Sequence, residues 1–199
     1  MRLGLFGGTF DPPHVGHLLA ASDTVEALQL DRLVFIPAAT QPFKQGVVVA
    51  APSQRLEMLR LTIGDDPRFS VDAIEIDRAG LSYTVDTLTA YAEREPQAKR
   101  FLLIGDDLVD QLPSWRNARR IAELAEIVVV SRGGRSGEAG AAPADATAVR
   151  GPLPLTRITT RRVDVSSTEI RARVRAGRSV HGFVTESVAA FIHTAALYR

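Results

Sequence analysis

The stretch GGTFDPPHVGH, Gly7 to His17, brings together residue types that can bind an anion. Glycine lets backbone N–H groups approach a ligand closely, and a helix beginning just after the prolines would offer its positive N-terminus. His14 and His17 are three residues apart, so both can face the same side of the first helical turn. Imidazoles there can hydrogen-bond phosphoryl oxygens and stabilise charge that develops in a transition state. The stretch therefore predicts a phosphate site.

Two other interpretations of this stretch stay open. It could be a tight loop whose histidines serve as caps or packing residues, because the glycines match neither G-x-G-x-x-G nor a Walker A motif. Alternatively, Asp11, His14 and His17 could bind zinc, but zinc needs a third strong ligand and a second shell, and no HExxH-type partner lies nearby. We favour phosphate contact over both and expect no dedicated metal site.

The same residues resemble the N-terminal signature of the nucleotidyltransferases that carry an (H/T)xGH motif. These enzymes transfer a nucleoside monophosphate group from ATP or CTP to a phosphate acceptor and release pyrophosphate. The resemblance implies that His14 and His17 are the catalytic motif histidines. It implies ATP contacts for Gly7, Gly8, Thr9, Phe10 and Gly16.

A second anion site is predicted in VDVSSTEIRARVRAGR, near the C-terminus. Ser166 and Glu169 form an S-x-x-E capping box, which predicts the start of a helix. A well-capped helix with a solvated arginine face would explain the segment if it stood alone. The segment also resembles the ISSTxIR signature of the same family. That resemblance implies ATP-phosphate contacts for Ser166, Ser167 and Thr168, and a catalytic charge on Arg171.

The middle of the chain carries the signals that bear on the phosphate acceptor. In LSYTVDTL, Tyr83 and Thr84 stand at a predicted helix start, where N–H groups can bind a carboxylate; in IGDDLVDQLPSW, Trp115 can stack on a pyridinium ring. Taken singly, Thr84 could be only an N-cap and Trp115 only a half-buried anchor. Together they resemble the SYTxDT and GAD…PxW patterns of the bacterial nicotinate-nucleotide adenylyltransferases. This implies nicotinate mononucleotide contacts for Tyr83, Thr84 and Trp115, and adenosine contacts for Gly105 and Asp107.

Lys44, in QPFKQG, is one of only two lysines among the 24 basic residues. The resemblance implies a catalytic role in neutralising phosphate charge, and the alternative is an ordinary loop lysine. The chain departs from the family at two positions. Phe43 stands where a histidine is usual, which removes a polar contact. Asp106 stands where a small alanine is usual, which adds a charge near the expected adenosine site.

Short apolar runs alternate with helical patterns along the chain, which predicts a doubly wound α/β fold with a mostly parallel, Rossmann-like sheet of about six strands. In such sheets, ligands bind at the carboxyl ends of the strands. The predicted strands are Arg2–Phe6, Arg32–Pro37, Phe69–Ile76, Arg100–Gly105, Glu126–Ser131 and Thr156–Val165. The predicted helices are Gly16–Leu30, Ser53–Ile63, Thr84–Arg94, Asn117–Ala125, Ser167–Ala176 and Thr185–Ala196.

We expect residues 1–199 to form a single nucleotidyltransferase domain that ends in a helical segment, 166–199. Residues 133–152 are rich in Gly, Ala and Pro and predict a mobile loop or an insertion rather than a linker between domains. The following strand must return to the same sheet, which is why a linker is disfavoured.

The composition gives no sign of a nucleic-acid or membrane partner. The formal net charge is +1, no aromatic residues interleave the C-terminal arginines, and no apolar run approaches transmembrane length. Cysteine is absent, which excludes disulfides and fits the cytoplasm. A homo-oligomer stays open.

These observations lead us to expect adenylyl transfer from ATP to nicotinate mononucleotide, with Mg²⁺ bound mainly through the ATP phosphates. Two alternatives remain. A sibling transferase would use another acceptor, such as pantetheine phosphate or a phosphorylated alcohol. A nucleotide-binding regulatory module would bind without turnover, and it would not need the motif histidines.

Overall fold

A sheet of seven strands lies at the centre of the structure. The structure is a computed structural model that describes residues 1–40, 49–133, 147–149 and 153–199. The strands are β1 (Arg2–Gly8), β2 (Arg32–Pro37), β3 (Phe69–Val71), β4 (Lys99–Gly105), β5 (Glu126–Arg132), β6 (Thr147–Val149) and β7 (Leu155–Thr160). Their order is β3-β2-β1-β4-β5-β7-β6, and only the β6–β7 pair is antiparallel within the described residues. The expected doubly wound, mostly parallel fold is confirmed.

Helices cover both faces of this sheet. They are α1 (Val15–Leu28), α2 (Pro52–Ile63), α3 (Ile74–Arg78), α4 (Thr84–Arg94), α5 (Ala118–Leu124), α6 (Ser167–Arg175) and α7 (Glu186–Thr194). Two single 3₁₀ turns, Asp106–Leu108 and Leu112–Ser114, follow β4. Each of the six predicted helices is present, with ends within two residues of the expected ones. Among the described residues, no helix has the length and apolar character needed to cross a bilayer.

The central strands are buried because their apolar side chains contribute to the cores on both faces of the sheet. In β5, Ile127 and Val129 pack into the cluster on one face of the sheet, while Val128 between them packs into the cluster on the other. All three are fully buried. This two-sided burial is why the strand reads as a continuous apolar run.

A third core joins the C-terminal segment to α2. Met58 of α2, Ile170 of α6 and Val188 of α7 are fully buried together. The packing places the beginning of α6 beside the loop that follows β1, so the two signature segments are brought to the same end of the sheet.

Two predicted strands are shorter than expected. The prediction of a strand over Phe69–Ile76 is wrong after Val71, because the Asp72 carboxylate accepts the Ile74 N–H at 2.9 Å and turns the chain into α3. The predicted strand over Thr156–Val165 ends at Thr160. The next N–H, that of Arg161, donates to the Asp23 carboxylate of α1 at 2.9 Å instead of to a strand.

The 133–152 segment is described only in part. Residues 147–149 form β6, paired antiparallel with β7, so this stretch is not loop throughout. The predicted mobility of the segment lies otherwise outside the described residues.

The strand order reverses between β1 and β4. The chain runs from β1 to β2 and β3 on one side, and β4 and β5 extend the sheet on the other. The carboxyl ends of β1 and β4, at Gly8 and Gly105, therefore border the crevice where doubly wound sheets bind ligands.

Candidate active site

Two cavities meet at the carboxyl end of β1. The first, the Trp115 pocket, has a volume of about 430 Å³, and the second, the histidine pocket, about 490 Å³. Gly7, Gly8 and Leu108 line both, so a ligand in one can reach a ligand in the other. The histidine pocket contains the predicted residues Gly7, Gly8, Thr9, Phe10, His14, Gly16, His17, Gly105, Asp107, Ser166, Ser167, Thr168 and Arg171. The Trp115 pocket contains Tyr83, Thr84 and Trp115.

The glycines at the strand ends allow close packing around the cavities. A Cβ on Gly8 would lie 2.8 Å from the Phe10 ring, and one on Gly105 would lie 2.5 Å from an Asp107 carboxylate oxygen. A Cβ on Gly7 would meet nothing within 4 Å, because this glycine faces open space. Side chains at these positions would displace a neighbour or enter the cavity.

His14 and His17 form a stacked pair at the start of α1. Their ring centroids are 3.7 Å apart, and the His14 N–H donates to Nδ1 of His17 at 3.2 Å. Because Nδ1 accepts a hydrogen bond, the neutral His17 ring carries its proton on Nε2. The Phe10 ring packs edge to face against the His17 ring, with the ring centroids 5.0 Å apart. His17 is therefore held as a hydrogen-bond donor in the cavity wall.

Phe10 was predicted to contact ATP, and the structure gives its side chain a packing role. It is 3% exposed and contacts the rings of Phe6 and Phe35 as well as His17. It also belongs to the lining of the histidine pocket. Its backbone has a φ of 52°, a left-handed conformation that turns the chain away from β1.

Asp11 connects the loop after β1 to three other segments. Its buried carboxylate accepts the N–H groups of Val49 and Ala50 at 2.8 and 3.1 Å and the Tyr198 hydroxyl at 2.7 Å. Its carbonyl accepts from the Arg171 guanidinium at 2.7 Å. Burial raises the pKa of Tyr198 well above its ordinary value, and the hydrogen bond to Asp11 raises it further. All these contacts are with protein groups, and no cluster of three metal-ligating side chains occurs among the described residues.

The second signature segment docks onto the first. Ser166 caps α6 by accepting the Glu169 N–H at 3.1 Å, as predicted. The Ser167 hydroxyl donates to the Pro12 carbonyl at 2.8 Å, so its proton is not available to a phosphate. Arg171 also donates to the Thr168 hydroxyl, at 3.3 Å. The N-terminus of α6 and Arg171 are thereby fixed against the loop of the motif histidines.

The Trp115 pocket combines an indole with a helix start. Tyr83 precedes α4, and within the described part of the chain the N–H groups of Thr84 and Val85 have no protein acceptor. The Trp115 Nε1 is buried and likewise lacks a hydrogen-bond partner among the described residues. Apolar side chains such as Leu88 complete the wall. The pocket suits a flat ring that bears an acceptor group.

Comparison with known proteins identifies the family of the chain. The model of the cytidylyltransferase-like family matches residues 5–173. A protein of Gemmatimonas aurantiaca named "probable nicotinate-nucleotide adenylyltransferase" is 48% identical over 199 residues, which is 100% of this chain and 93% of that protein. One of Thermus thermophilus with the same name is 43% identical, covering 100% of both chains. The chain belongs to the nicotinate-nucleotide adenylyltransferase family.

Solved structures of low sequence identity share the fold. The nicotinic acid mononucleotide adenylyltransferase of Plasmodium falciparum, complexed with NaAD, has a TM-score of 0.75 at 16% identity over 99% of this chain and 97% of that one. The same protein complexed with APC has a TM-score of 0.73 at 15% identity, covering 99% of this chain and 96% of that one.

The structure explains one of the two departures from the family pattern. The Asp106 carboxylate is paired with the Arg157 guanidinium of β7, which also contacts the Ser131 hydroxyl of β5 at 2.5 Å. The extra charge is thus neutralised by this chain's own arginine. Phe43 and the predicted catalytic Lys44 lie outside the described residues.

Several residues of the site were not predicted from the sequence. Arg55 of α2 is 1% exposed and donates to the carbonyls of Thr9 and Ala39, at 2.8 and 3.3 Å. Burial lowers the pKa of its guanidinium, and the nearby Asp11 carboxylate opposes that shift. Tyr198 was missed because nothing local marks the penultimate residue as functional.

Gly16→Ala tests the packing around His14. The added Cβ would lie 3.0 Å from Cε1 and Nδ1 of the His14 ring, which is itself buried, so the imidazole must shift. We expect turnover to fall about tenfold or more, since small misplacements of catalytic groups are costly. Alanine is also the better helix former, by about 0.5–1 kcal/mol, so stability should not fall in parallel. Steady-state kinetics measures the expected loss of turnover, and thermal unfolding measures whether stability is kept. Unchanged turnover would contradict the predicted catalytic role of His14.

Tyr198→Phe tests the link between the C-terminus and Asp11. The variant keeps the ring and removes one donor from a buried carboxylate, which should lower the free energy of unfolding by about 1–2 kcal/mol. Turnover should fall as well, because Asp11 positions Arg171.

Tyr91→Phe is the matched control. The Tyr91 hydroxyl is also buried and donates to a carboxylate, that of Asp72, at 2.6 Å, but Asp72, unlike Asp11, lines neither cavity. This variant should lose similar stability in denaturant unfolding and keep its turnover. Equal kinetic effects in the two variants would show that Tyr198 acts only through stability.

Proposed function

We infer that this chain transfers the adenylyl group of ATP to nicotinate mononucleotide, giving deamido-NAD and pyrophosphate for NAD biosynthesis. The observation that carries the inference is the meeting of two different pockets at Gly7 and Gly8. One offers cationic and N–H donors to phosphates, and the other offers an indole and a helix start to an aromatic acid. Relatives of which this chain covers 93% and 100% carry the corresponding name.

The reaction is a direct displacement at the α-phosphorus of ATP. A phosphate oxygen of the acceptor, held on the Trp115 side, forms the new P–O bond, and the bond from the α-phosphorus to the pyrophosphate oxygen breaks. The electron pair of that bond leaves with pyrophosphate. Because both substrates are positioned at Gly7 and Gly8, most of the acceleration comes from orientation and charge stabilisation.

Four side chains are proposed to balance the negative charge of the transition state. His17 donates from Nε2, His14 stacks on it, and Arg171 lies one turn into α6. Lys44 is the fourth, by resemblance to the family. Backbone N–H groups near Gly8 and at the N-terminus of α6 add to this field.

The adenosine of ATP is proposed to lie beside the carboxyl end of β4. Gly105 and Asp107 line the histidine pocket there, together with Val130 and Thr160. The Asp107 carboxylate can accept from the ribose hydroxyls, and the absent Cβ of Gly105 makes room for it.

Mg²⁺ is proposed to enter with ATP. Asp11 and Asp107 are the carboxylates lining the histidine pocket among the described residues, and Asp11 is committed to protein donors. Such a site fits an ion held mainly by phosphate oxygens, which would supply charge neutralisation on the triphosphate. We place the reaction in the cytoplasm, which the cysteine-free composition fits.

A pyrophosphate-release assay with ATP, Mg²⁺ and a panel of acceptors tests this function. Nicotinate mononucleotide should be the preferred acceptor over nicotinamide mononucleotide, pantetheine phosphate and phosphorylated alcohols. Turnover of one of the latter instead would assign a sibling transferase, and nucleotide binding without any turnover would assign a regulatory module.

His17→Ala should retain its fold and lose at least about 10²-fold in kcat, the usual scale for removing one transition-state donor. His181→Ala is a suitable control, because His181 is exposed and pairs only with Glu186 on the surface. Near-normal kcat in a folded His17→Ala protein would contradict the proposed contact between His17 and the phosphates.

Acceptor choice provides a second test. A carboxylate at the N-terminus of α4 meets several donors, whereas the carboxamide presents an NH₂ that cannot accept from them. Donors left unpaired in a closed site cost about 1–3 kcal/mol each, so two correspond to roughly 10²- to 10⁴-fold in kcat/KM. We expect Trp115→Ala to weaken both acceptors through lost stacking and to keep most of the preference. Equal use of the two acceptors by the wild type would exclude the carboxylate site.

A further inference from the structure

Arg116 is the one cationic residue that lines the Trp115 pocket within the described part of the chain. It directly follows Trp115, so the residue proposed to stack on the pyridine ring is adjacent to a positive charge. Glu75 is the other charged residue in the described lining. The pocket therefore has one charge of each sign.

The Arg116 guanidinium lies over the ring of Tyr83, with its central carbon 4.7 Å from the ring centroid. An arginine stacked on an aromatic face keeps its N–H edges available for an acceptor in its own plane, and a carboxylate can accept two of them. The stacking thus holds the cation at the pocket without using its donors.

The ion pair of Arg116 within the protein is weak. Its nearest carboxylate is that of Asp86 at 3.8 Å, too far for a hydrogen bond, and the Arg116 side chain is 55% exposed. Exposed pairs of this kind contribute little to stability. The guanidinium can therefore turn to a better anion at small cost.

The two neighbours of Arg116 place it at the start of α4. Tyr83 immediately precedes the helix, and Asp86 lies in its first turn. The helix N-terminus and the guanidinium act in the same direction, because both favour negative charge at this end of the pocket.

The negative charge belongs to Glu75 of α3, which contacts α4 one turn beyond Thr84. Glu75 accepts the Thr87 hydroxyl at 2.7 Å and is 8% exposed. A substrate carboxylate near Thr87 would be repelled by Glu75, whereas one near Thr84 would be attracted by Arg116. The arrangement gives a ring that bears a carboxylate one favoured orientation and leaves a ring that bears an uncharged carboxamide with little preference.

We propose that the Arg116 side chain binds the carboxylate of the pyridine ring and adds to the preference for the acid over the amide acceptor that the N-terminus of α4 provides. This inference rests on the proposed function, since it assigns a specificity role in the same reaction. The alternative is that Arg116 only packs on Tyr83 and supports the wall of the pocket. In that case substitution of Arg116 would change kcat/KM for the acid and the amide by the same factor.

The test compares Arg116→Gln and Arg116→Lys with the wild type, using nicotinate mononucleotide and nicotinamide mononucleotide at saturating ATP and Mg²⁺. Arg119→Gln is the matched control, because Arg119 is an exposed arginine outside the pocket lining. Where turnover of the amide is too slow to measure, its Ki as a competitive inhibitor replaces kcat/KM.

We expect Arg116→Gln to lower kcat/KM for the acid about 10- to 100-fold, the range of one hydrogen-bonded charge pair, mainly through KM. The amide should change less than about threefold. Arg116→Lys should recover part of the loss, since lysine keeps the charge but not the paired donors. Arg119→Gln should match the wild type.

Two results would overturn the inference in distinguishable ways. A wild type that uses the acid well, with the acid-to-amide ratio unchanged in both Arg116 variants, refutes the role of Arg116 alone. A wild type that does not turn over nicotinate mononucleotide refutes the proposed function and this inference with it. A folding defect in Arg116→Gln would be detected by thermal unfolding. Arg116→Lys provides a second variant, in which the positive charge is kept.

Discussion

The buried carboxylate of Asp11 is the constraint on which the rest of the site depends. A carboxylate removed from water is costly unless donors surround it, and here they come from two distant parts of the chain. Val49 and Ala50 lie just before α2, and Tyr198 comes from the C-terminus. The same residue's carbonyl anchors Arg171. One residue thus fixes the loop after β1 relative to α2, α6 and the end of the chain, so both signature segments are positioned relative to Asp11.

The loop after β1 also has most of its oxygens occupied by protein donors. The carbonyls of Gly8, Thr9, Asp11 and Pro12 accept hydrogen bonds, in that order, from the Ala38 N–H, Arg55, Arg171 and the Ser167 hydroxyl. A bare carbonyl facing an anion would repel it, so these contacts remove the repulsion. What the loop and the start of α1 then present to a phosphate is mainly positive. In the proposed function, the buried arginine of α2 therefore favours an anion by occupying the Thr9 carbonyl, although it does not line the histidine pocket.

Local sequence predicts the elements whose ends are set by local interactions. Thr84–Arg94 agrees with the structure at both ends, and Ser166 caps α6 where the S-x-x-E pattern places it. The strand predicted over Phe69–Ile76 fails because the alternation of apolar residues continues beyond Asp72, whose side chain turns the chain. The glycine motif identifies the edge that the two pockets share, and the histidine motif identifies a wall of the histidine pocket. The contact between Tyr198 and Asp11 spans 187 residues, and no local pattern can predict it.

The arginines differ in the acceptors that their guanidinium groups contact. This difference separates arginines that stabilise the fold from those whose N–H donors are available to a ligand. Arg2 and Arg100 donate to the carbonyls of Leu28 and Leu124, at the last residues of α1 and α5, where helix ends favour a cation. Arg161 lines the histidine pocket but is held by the buried Asp23 carboxylate at 2.7 Å. Arg116 differs from all of these, since an aromatic face and a long ion pair leave its donors available. Although almost every basic residue of this chain is an arginine, the arginines therefore have different roles, because different acceptors surround each guanidinium.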